Sequence, residues 1–576
     1  MRDFAKSGIL AQMARLSLAV VPLLVGCTSP EYQAWQEENA KYASSGQTSS
    51  GDSATTGELP AASTGSAGAG ASTTDSASTG DTTAAVDDSS GNDSAAGDTT
   101  VEPVDPSVGD AEKPEIVAVE LPANVYAAGP VPLTVQTIHT GSVLVRLDGV
   151  DAGELIAAGD GQFTGELAVH GAIDNGPHEV EIIARQGKFE DSRTTGYDVS
   201  TPVPGTEAWS MAGPDGSRTN RVALTPDGDL IEVGQTEIGG VPRPTIRKRS
   251  SLTGAELWPE KTITLDTREG AVVDVAVLAD GRMWVAMNVN EKGKSPRPRL
   301  ALLDAEGHAT GIEVLGTVGR VVRAIAADSE GCFAVGLAVV QGDWDMAYWR
   351  VTTDGVQTLG DAFDYNPKLD PHSYLDLAND VVLDGDTAWM IGLSKGKHDE
   401  GKEDVRTRGM LVPMDVHTGK VSPTVVVAPM SGDWTQSAFF GGSRHPEGVV
   451  VTGYGCDEAC STYRIETSLY SFAGVRAWHQ PEMPNKGLAY GSDVALDGQG
   501  RALVAGAVTK DGTLSGRVFG RRVKQAGGSI LLQTWFPGVG PSEVLGIVTD
   551  SFDRIFPAGY ITSDGATQAR IAMIHG

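Results

Sequence analysis

At roughly 150 residues per domain, a chain of 576 residues has room for about four domains, and its 72 Gly and 30 Pro make it rich in turns. Its 44 Lys and Arg against 75 Asp and Glu leave a formal charge of −31. That excludes nonspecific nucleic-acid binding, which relies on cations that neutralise phosphates. Four cysteines are too few for a disulfide-stapled mini-protein or a multi-cysteine zinc scaffold.

Arg2, Lys6 and Arg15 precede an apolar run at 16–26. The run has the length of a signal-peptide core and is shorter than the roughly 18–20 residues that cross a bilayer. It ends in Leu24-Val25-Gly26-Cys27. The order of basic start, apolar core, small residues and cysteine resembles the lipobox of bacterial lipoproteins. The resemblance implies that 1–27 is a signal peptide with its lipobox, that Cys27 carries the lipid, and that the chain is anchored to a membrane outside the cytoplasm. Thr28 stands where an aspartate would mark inner-membrane retention, so the outer membrane or cell surface is expected. Residues 28–112 read as a disordered linker. From 43 to 112 the chain is almost wholly Ser, Thr, Ala, Gly and Asp, with 12 acids and no Lys, Arg or aromatic residue. Such a segment cannot bury enough apolar surface to offset its ordering entropy, and as a flexible coil it spans on the order of 45 Å.

Between 113 and 202, short apolar alternations at 116–121, 133–137, 142–147, 154–157, 162–168, 178–184 and 194–199 alternate with turn residues. Seven strands suggest a β-sandwich, and Asp148-Gly149 is a two-residue hairpin signal. In size and pattern the segment resembles the immunoglobulin-like modules of bacterial surface proteins. His139, His170 and His178 read as single, exposed side chains.

From 203 to 576 the chain repeats itself. Segments 221–236, 274–290, 323–340, 380–394, 436–455, 493–509 and 545–562 each read as an apolar strand, a tight turn and a second strand that usually ends in Gly. The turns carry Asp227-Gly228, Asp280-Gly281, Glu330-Gly331, Asp384-Gly385, Glu447-Gly448, Gln499-Gly500 and, in the last, Phe552-Asp553. Third and fourth strands fill the intervals. The fold class is therefore all-β: the repeats resemble those of bacterial extracytoplasmic β-propellers, which implies a seven-bladed ring after the small sandwich and the disordered linker. The last repeat lacks a fourth strand, and 207–211 has the sequence to supply it. Closure of the ring by the start of the repeat region, with no free sheet edges, is expected.

Alignment of the repeats places Arg221, Asp274, Arg323, Asp380, Ser437, Asp493 and Gly546 in one column at the start of each innermost strand. By the propeller resemblance that column lines the mouth of the central channel. Asp274, Asp380 and Asp493 with Arg221 and Arg323 then form a mixed-charge ring. It is either a ligand or metal site, with Ca²⁺ as the cation that hard carboxylates suit, or a set of charges that neutralise one another. Loops at 290–299, 394–408 and 456–460 are expected on the same face. Cys456 and Cys460 are expected to form a local disulfide outside the cytoplasm, and Cys332 to be a buried, inert thiol.

Enzyme signatures are absent: there is no H-E-x-x-H, G-x-S-x-G, P-loop or sialidase box. Fragments at 253–258 and 414–420 resemble parts of the repeat of quinone-cofactor dehydrogenases, but Ser250 and Pro423 replace its Asp and Trp, and no cofactor is expected. His372, His398, His417, His445 and His479 read as loop residues without partners, so none stands out as a base. The function expected is a monomeric, membrane-anchored display protein that binds a protein or glycan partner and no nucleic acid. The alternatives are a hydrolase or lyase working through the channel carboxylates, and a structural envelope component.

Overall fold

The computed structural model describes residues 112–576 apart from 259–261, 291–295, 317–319, 341–342, 366–374, 397–405, 430–433, 483–484, 525–529 and 539. Cys27, the linker up to 111 and most of the charged loops expected at 290–299 and 394–408 lie outside the described residues. The chain divides into Met1–Ala111 and Glu112–Gly576. Among the described residues the second unit is all-β, with one 3-10 turn at Gly171–Asp174 and no helix able to cross a membrane.

Two sheets form first. Glu115–Glu120, Gly129–Ile138, Gln162–Val169 and Ile156–Gly159 make one; Asn124–Val125, Phe189–Val199, Gly176–Gln186, Ser142–Leu147 and Val150–Glu154 make the other. Period-2 alternation turns Val131, Leu133, Val135 and Phe163 from the first sheet onto Val143, Val145, Val180 and Ile182 from the second, in one buried cluster. The Asp148-Gly149 hairpin is as read: Leu147 pairs with Val150, and φ is +50° and +80° at the two turn residues. His178 is not a free surface group. Its Nδ1 bonds Asp148 (2.7 Å), its Nε2 bonds the Asp174 carbonyl (2.5 Å), and its ring stacks on Tyr197.

The repeat region folds into radial antiparallel sheets. The innermost strands are Ser217–Leu224, Glu269–Val277, Arg320–Asp328, Leu375–Asp384, Trp434–His445, Ala489–Leu496 and Ser542–Thr549. Each packs beside the next, and the last packs beside the first. Second, third and fourth strands follow outward from each. The third and fourth sets are joined into one eight-stranded sheet by a single parallel bridge, Trp344 to Leu375. This is a propeller-type architecture. The second strands are covered on both faces, which is why stretches such as Gly331–Val340 read as unbroken apolar runs.

Glu207–Asp215 pairs antiparallel with Ala566–Ile574 outside Ile555–Ser563, with Trp209 opposite Met573 and Met211 opposite Ile571. The missing fourth strand therefore comes from the start of the repeat region. The ring is not free of edges, however. Among the described residues each outermost strand leaves its far side unpaired, and the hazard is limited by length: Ile263–Thr264 and Val426–Val427 have two residues each and Leu532–Trp535 has four.

Glycines hold the layers together at two recurrent places. On the second strands, Gly234, Gly336, Gly392, Gly453, Gly506 and Gly559 face the innermost strand, where a Cβ would lie 1.7–2.0 Å from a backbone oxygen. On the turns between third and fourth strands, Gly254 (φ +71°) rests on Trp209 and Gly307 (φ +83°) on Trp258, each a side chain of the preceding sheet.

Candidate binding site at the axis of the ring

Every innermost strand carries a β-bulge at the same level. The ladder to the second strand slips between Thr219/Arg221, Val272/Asp274, Val322/Ala324, Ala378/Asp380, Phe439/Gly441, Gly491/Asp493 and Val544/Gly546. The bulges define the true column: Arg221, Asp274, Ala324, Asp380, Gly441, Asp493 and Gly546. Two members of the sequence alignment are displaced. Arg323 is the extra, unpaired residue of its bulge, one position early. Ser437 is four positions early, and its Oγ accepts the Gly409 N–H (3.0 Å). The column also lies mid-strand, not at the strand starts, since Asp274 is the sixth residue of Glu269–Val277.

The two bulge positions fasten neighbouring sheets. Asp274 accepts the Val275 N–H at Oδ1 (2.8 Å) and the Ile325 N–H of the next sheet at Oδ2 (2.7 Å). Asp380 does the same with Val381 and Gly442 (2.8 Å each), and Asp493 with Val494 (2.9 Å) and Ile547 (3.0 Å). One residue earlier, Asn220 donates to the Val272 carbonyl (2.7 Å), Asn379 to that of Phe439 (2.9 Å) and Ser492 to that of Val544. At Gly441 and Gly546 the neighbouring backbone fills the space instead. A Cβ there would stand 2.6 Å from the Cα of Asp493 and 3.1 Å from that of Arg221.

The guanidinium of Arg221 reaches all three carboxylates. Nη1 bonds Asp493 (3.0 Å) and the Leu545 carbonyl (2.9 Å), while Nε lies 3.8 Å from Asp274 and Nη2 3.7 Å from Asp380. The three aspartates come from the second, fourth and sixth sheets, so the cation of the first sheet sits among alternating anions. Burial pushes Asp274 up to about 7 and Asp493 up to about 6, and raises Asp380, although Arg221 pulls each the other way. The carboxylates in turn raise Arg221. Arg323 takes no part: it has no ion pair among the described residues, and burial alone lowers it to about 10.

This charged cluster lines one end of a cavity of about 440 Å³ whose other lining residues, such as Val222, Leu224, Val277, Leu496 and Ile547, lie further along the innermost strands. The cavity therefore faces the turns that join first to second strands. The loops between second and third strands, including 456–460, lie at the opposite end, because the start of each innermost strand pairs with the end of its second strand. The expectation that charges and loops share a face is thus corrected. Among the described residues no three His, Cys, Asp or Glu side chains are grouped as metal ligands. Asp274, Asp380 and Asp493 instead direct their oxygens at backbone N–H groups.

Cys456 and Cys460 form a disulfide across the turn after Gly448–Asp457. Cys332 is buried and unpaired, and burial raises its thiol. His479 is not a lone loop residue. It lies on the strand Arg476–Pro481 and meets Glu466, which also binds Arg464, itself stacked over Trp434 at 4.1 Å. His417 lies 3.3 Å from Asp386. Sequence spacing gave no sign of these pairs: His479 and Glu466 sit on strands joined only by register, and His417 and Asp386 on two separate turns.

No protein-family model and no curated protein matches the chain. Among solved structures, Sqt1 from Chaetomium thermophilum matches at 10% identity and a TM-score of 0.39, covering 65% of this chain and all of its own. A quinonprotein alcohol dehydrogenase-like protein from Bacteroides thetaiotaomicron matches at 9% and 0.27, covering 81% of this chain and 99% of its own. An apocarotenoid oxygenase mutant from Synechocystis matches at 8% and 0.34, covering 75% and 94%. None of these likenesses carries an argument about what this chain does, and the propeller-type architecture rests on the sheet order above.

Proposed function

We propose that this protein is a lipid-anchored, extracytoplasmic binding protein in which an acidic tether and an immunoglobulin-like module carry a monomeric seven-bladed β-propeller that engages a protein or glycan partner. The observation that supports binding over chemistry is the use of the axial carboxylates. Each of Asp274, Asp380 and Asp493 already accepts backbone N–H groups from two adjacent sheets, which fits a structural clamp beneath a receptive cavity. Anchorage rests on Cys27 and on the basic and apolar residues before it. Cell fractionation tests it: Cys27→Ala moves the protein into the soluble fraction, and continued membrane attachment removes the lipoprotein reading.

One observation favours a hydrolase or lyase instead. Asp274, raised to about 7 beside a cavity, has the proton affinity of a general acid. The same observation fits a buried clamp, and the two separate on turnover. If a glycan or ester substrate is consumed by the full chain and Asp274→Asn abolishes its consumption while the fold persists, the catalytic reading replaces the binding one.

A further inference from the structure

His178 has two hydrogen-bond acceptors against its ring and, when neutral, one hydrogen to share between them. Its Nδ1 meets a carboxylate oxygen of Asp148 (2.7 Å), and its Nε2 meets the backbone carbonyl of Asp174 (2.5 Å). Neither partner donates. The Glu179 N–H and the imidazole hold Asp148 below the ordinary carboxylate range, so it is ionised, and a carbonyl carries no proton. A neutral imidazole therefore satisfies one acceptor, and the imidazolium satisfies both. The other groups facing the ring add no cation. Tyr197 stacks on it at 5.3 Å with its phenol pushed up to about 12 by burial, and the Asp174 carboxylate accepts the His170 N–H (2.5 Å). Burial opposes the imidazolium, but the Asp174 carbonyl and Asp148 outweigh it and hold the group above its ordinary value of 6.5.

The turn that His178 grips is where the two-sheet module meets the propeller. Asp174 closes the 3-10 turn Gly171–Asp174. At the start of that turn, a Cβ on Gly171 would stand 2.9 Å from the carbonyl oxygen of Gly576, just beyond the propeller strand Ala566–Ile574. Just past its end, Asn175 holds the connecting segment. Its Oδ1 accepts the Thr201 N–H (2.7 Å) and hydroxyl (2.9 Å), and its Nδ2 donates to the Thr201 carbonyl (3.1 Å). The far end of the segment is tied to the propeller: the Gly205 N–H donates to the His575 carbonyl (2.8 Å) and the His575 N–H to that of Thr206 (3.0 Å). Only 202–204 lie between the two fastenings.

We propose that His178 is a proton-operated latch on the joint between the two-sheet module and the propeller: the imidazolium fixes the turn Gly171–Asp174 and with it Asn175, and loss of the proton releases one of its two bonds and loosens the joint. The sign follows from the tighter hold on the proton in the latched state. The latch is fully closed below pH 6.5 and opens as the pH rises through the raised value of the imidazole. The orientation of the propeller on the module is thereby fixed in mildly acidic medium and freed in alkaline.

The test uses the full chain with spin labels carried on a keto amino acid at the exposed positions Lys188 and Glu306, while proton NMR follows the His178 Cε1 hydrogen. The interlabel distance is expected to be narrowly distributed at about pH 6 and about twice as broad at about pH 9, with the midpoint of the change coinciding with the titration of the ring. His178→Gln assigns the NMR signal and is expected to be broad at both pH values. Asp148→Asn keeps the hairpin, because asparagine tolerates the φ of +50° there and its amide oxygen can still accept the Glu179 N–H; without the anion, both midpoints are expected to move to lower pH together. Asn175→Ala, which unpins Thr201 and leaves the ring untouched, is expected to broaden the distance at both pH values. The latch is overturned if the wild-type distribution is the same at both pH values, or if its midpoint departs from that of the ring, a comparison that needs no variant to fold. It is also overturned if the distance midpoint stays in place in Asp148→Asn while the ring midpoint moves, or if His178→Gln or Asn175→Ala keeps the narrow distribution.

Discussion

Asp274 shows how one side chain serves two sheets. Its Oδ2 is the acceptor of the Ile325 N–H, which is buried between innermost strands. Asp274→Ala strands that donor, and a buried unsatisfied donor costs about 1–3 kcal/mol, so urea unfolding should show a loss of that size. The pH dependence follows from its raised pKa. The folded state holds its proton more tightly than the unfolded state, so this group stabilises the fold most at low pH. That contribution falls as pH rises from near the unfolded value of 3.8 towards about 7, and is constant above. Asp493, raised to about 6, adds a component of the same sign that ends earlier. Unfolding free energies measured from pH 4 to 8 should have a descending component, flattened by Asp274→Asn. A slope unchanged by that substitution would show that the carboxylate is not held in its acid form.

At the scale of elements, the Gly that ends the second strand in every repeat but the one at 274–290 was legible in the sequence, and the bulge it serves was not. Gly392 sits opposite Ala378, where the innermost strand approaches so closely that a Cβ would come within 1.7 Å of the Leu377 oxygen. Gly392→Ala should therefore force the two strands apart, costing about 1–3 kcal/mol as overpacking does, while the same change at the turn residue Gly228 meets no neighbour and carries only the cost of its φ of +79°. Comparing the two melting temperatures separates crowding from backbone preference. The axial column was only partly readable for a related reason. A bulge adds one residue without a sequence mark, so Arg323 was placed where Ala324 belongs. In Trp434–His445 the glycine pair Gly441-Gly442 carries no charge to align on, so sequence alone puts Ser437 in the column. Asp274, Asp380 and Asp493, each followed by Val and each one residue beyond a bulge, were aligned correctly.

For the whole molecule, the repeat period and the fourth-strand likeness of 207–211 sufficed to anticipate closure, because both are local patterns. Which end of the ring holds the cavity was not legible, since it depends on how far along the innermost strand the bulges fall. Closure predicts that deleting 207–215, which strips Ala566–Ile574 of its outer partner, lowers the unfolding temperature and splits a single transition into more than one by calorimetry. A single transition at the wild-type temperature would mean that the ring does not depend on this pairing. The central claim, that the propeller is a binding surface displayed outside the cell, is tested most directly by photo-crosslinking on intact cells. A photoreactive residue is placed either at the exposed turn position Asp227 or at Glu458 on the opposite loop end. The account predicts a discrete protein adduct from Asp227; no adduct from either position would contradict it.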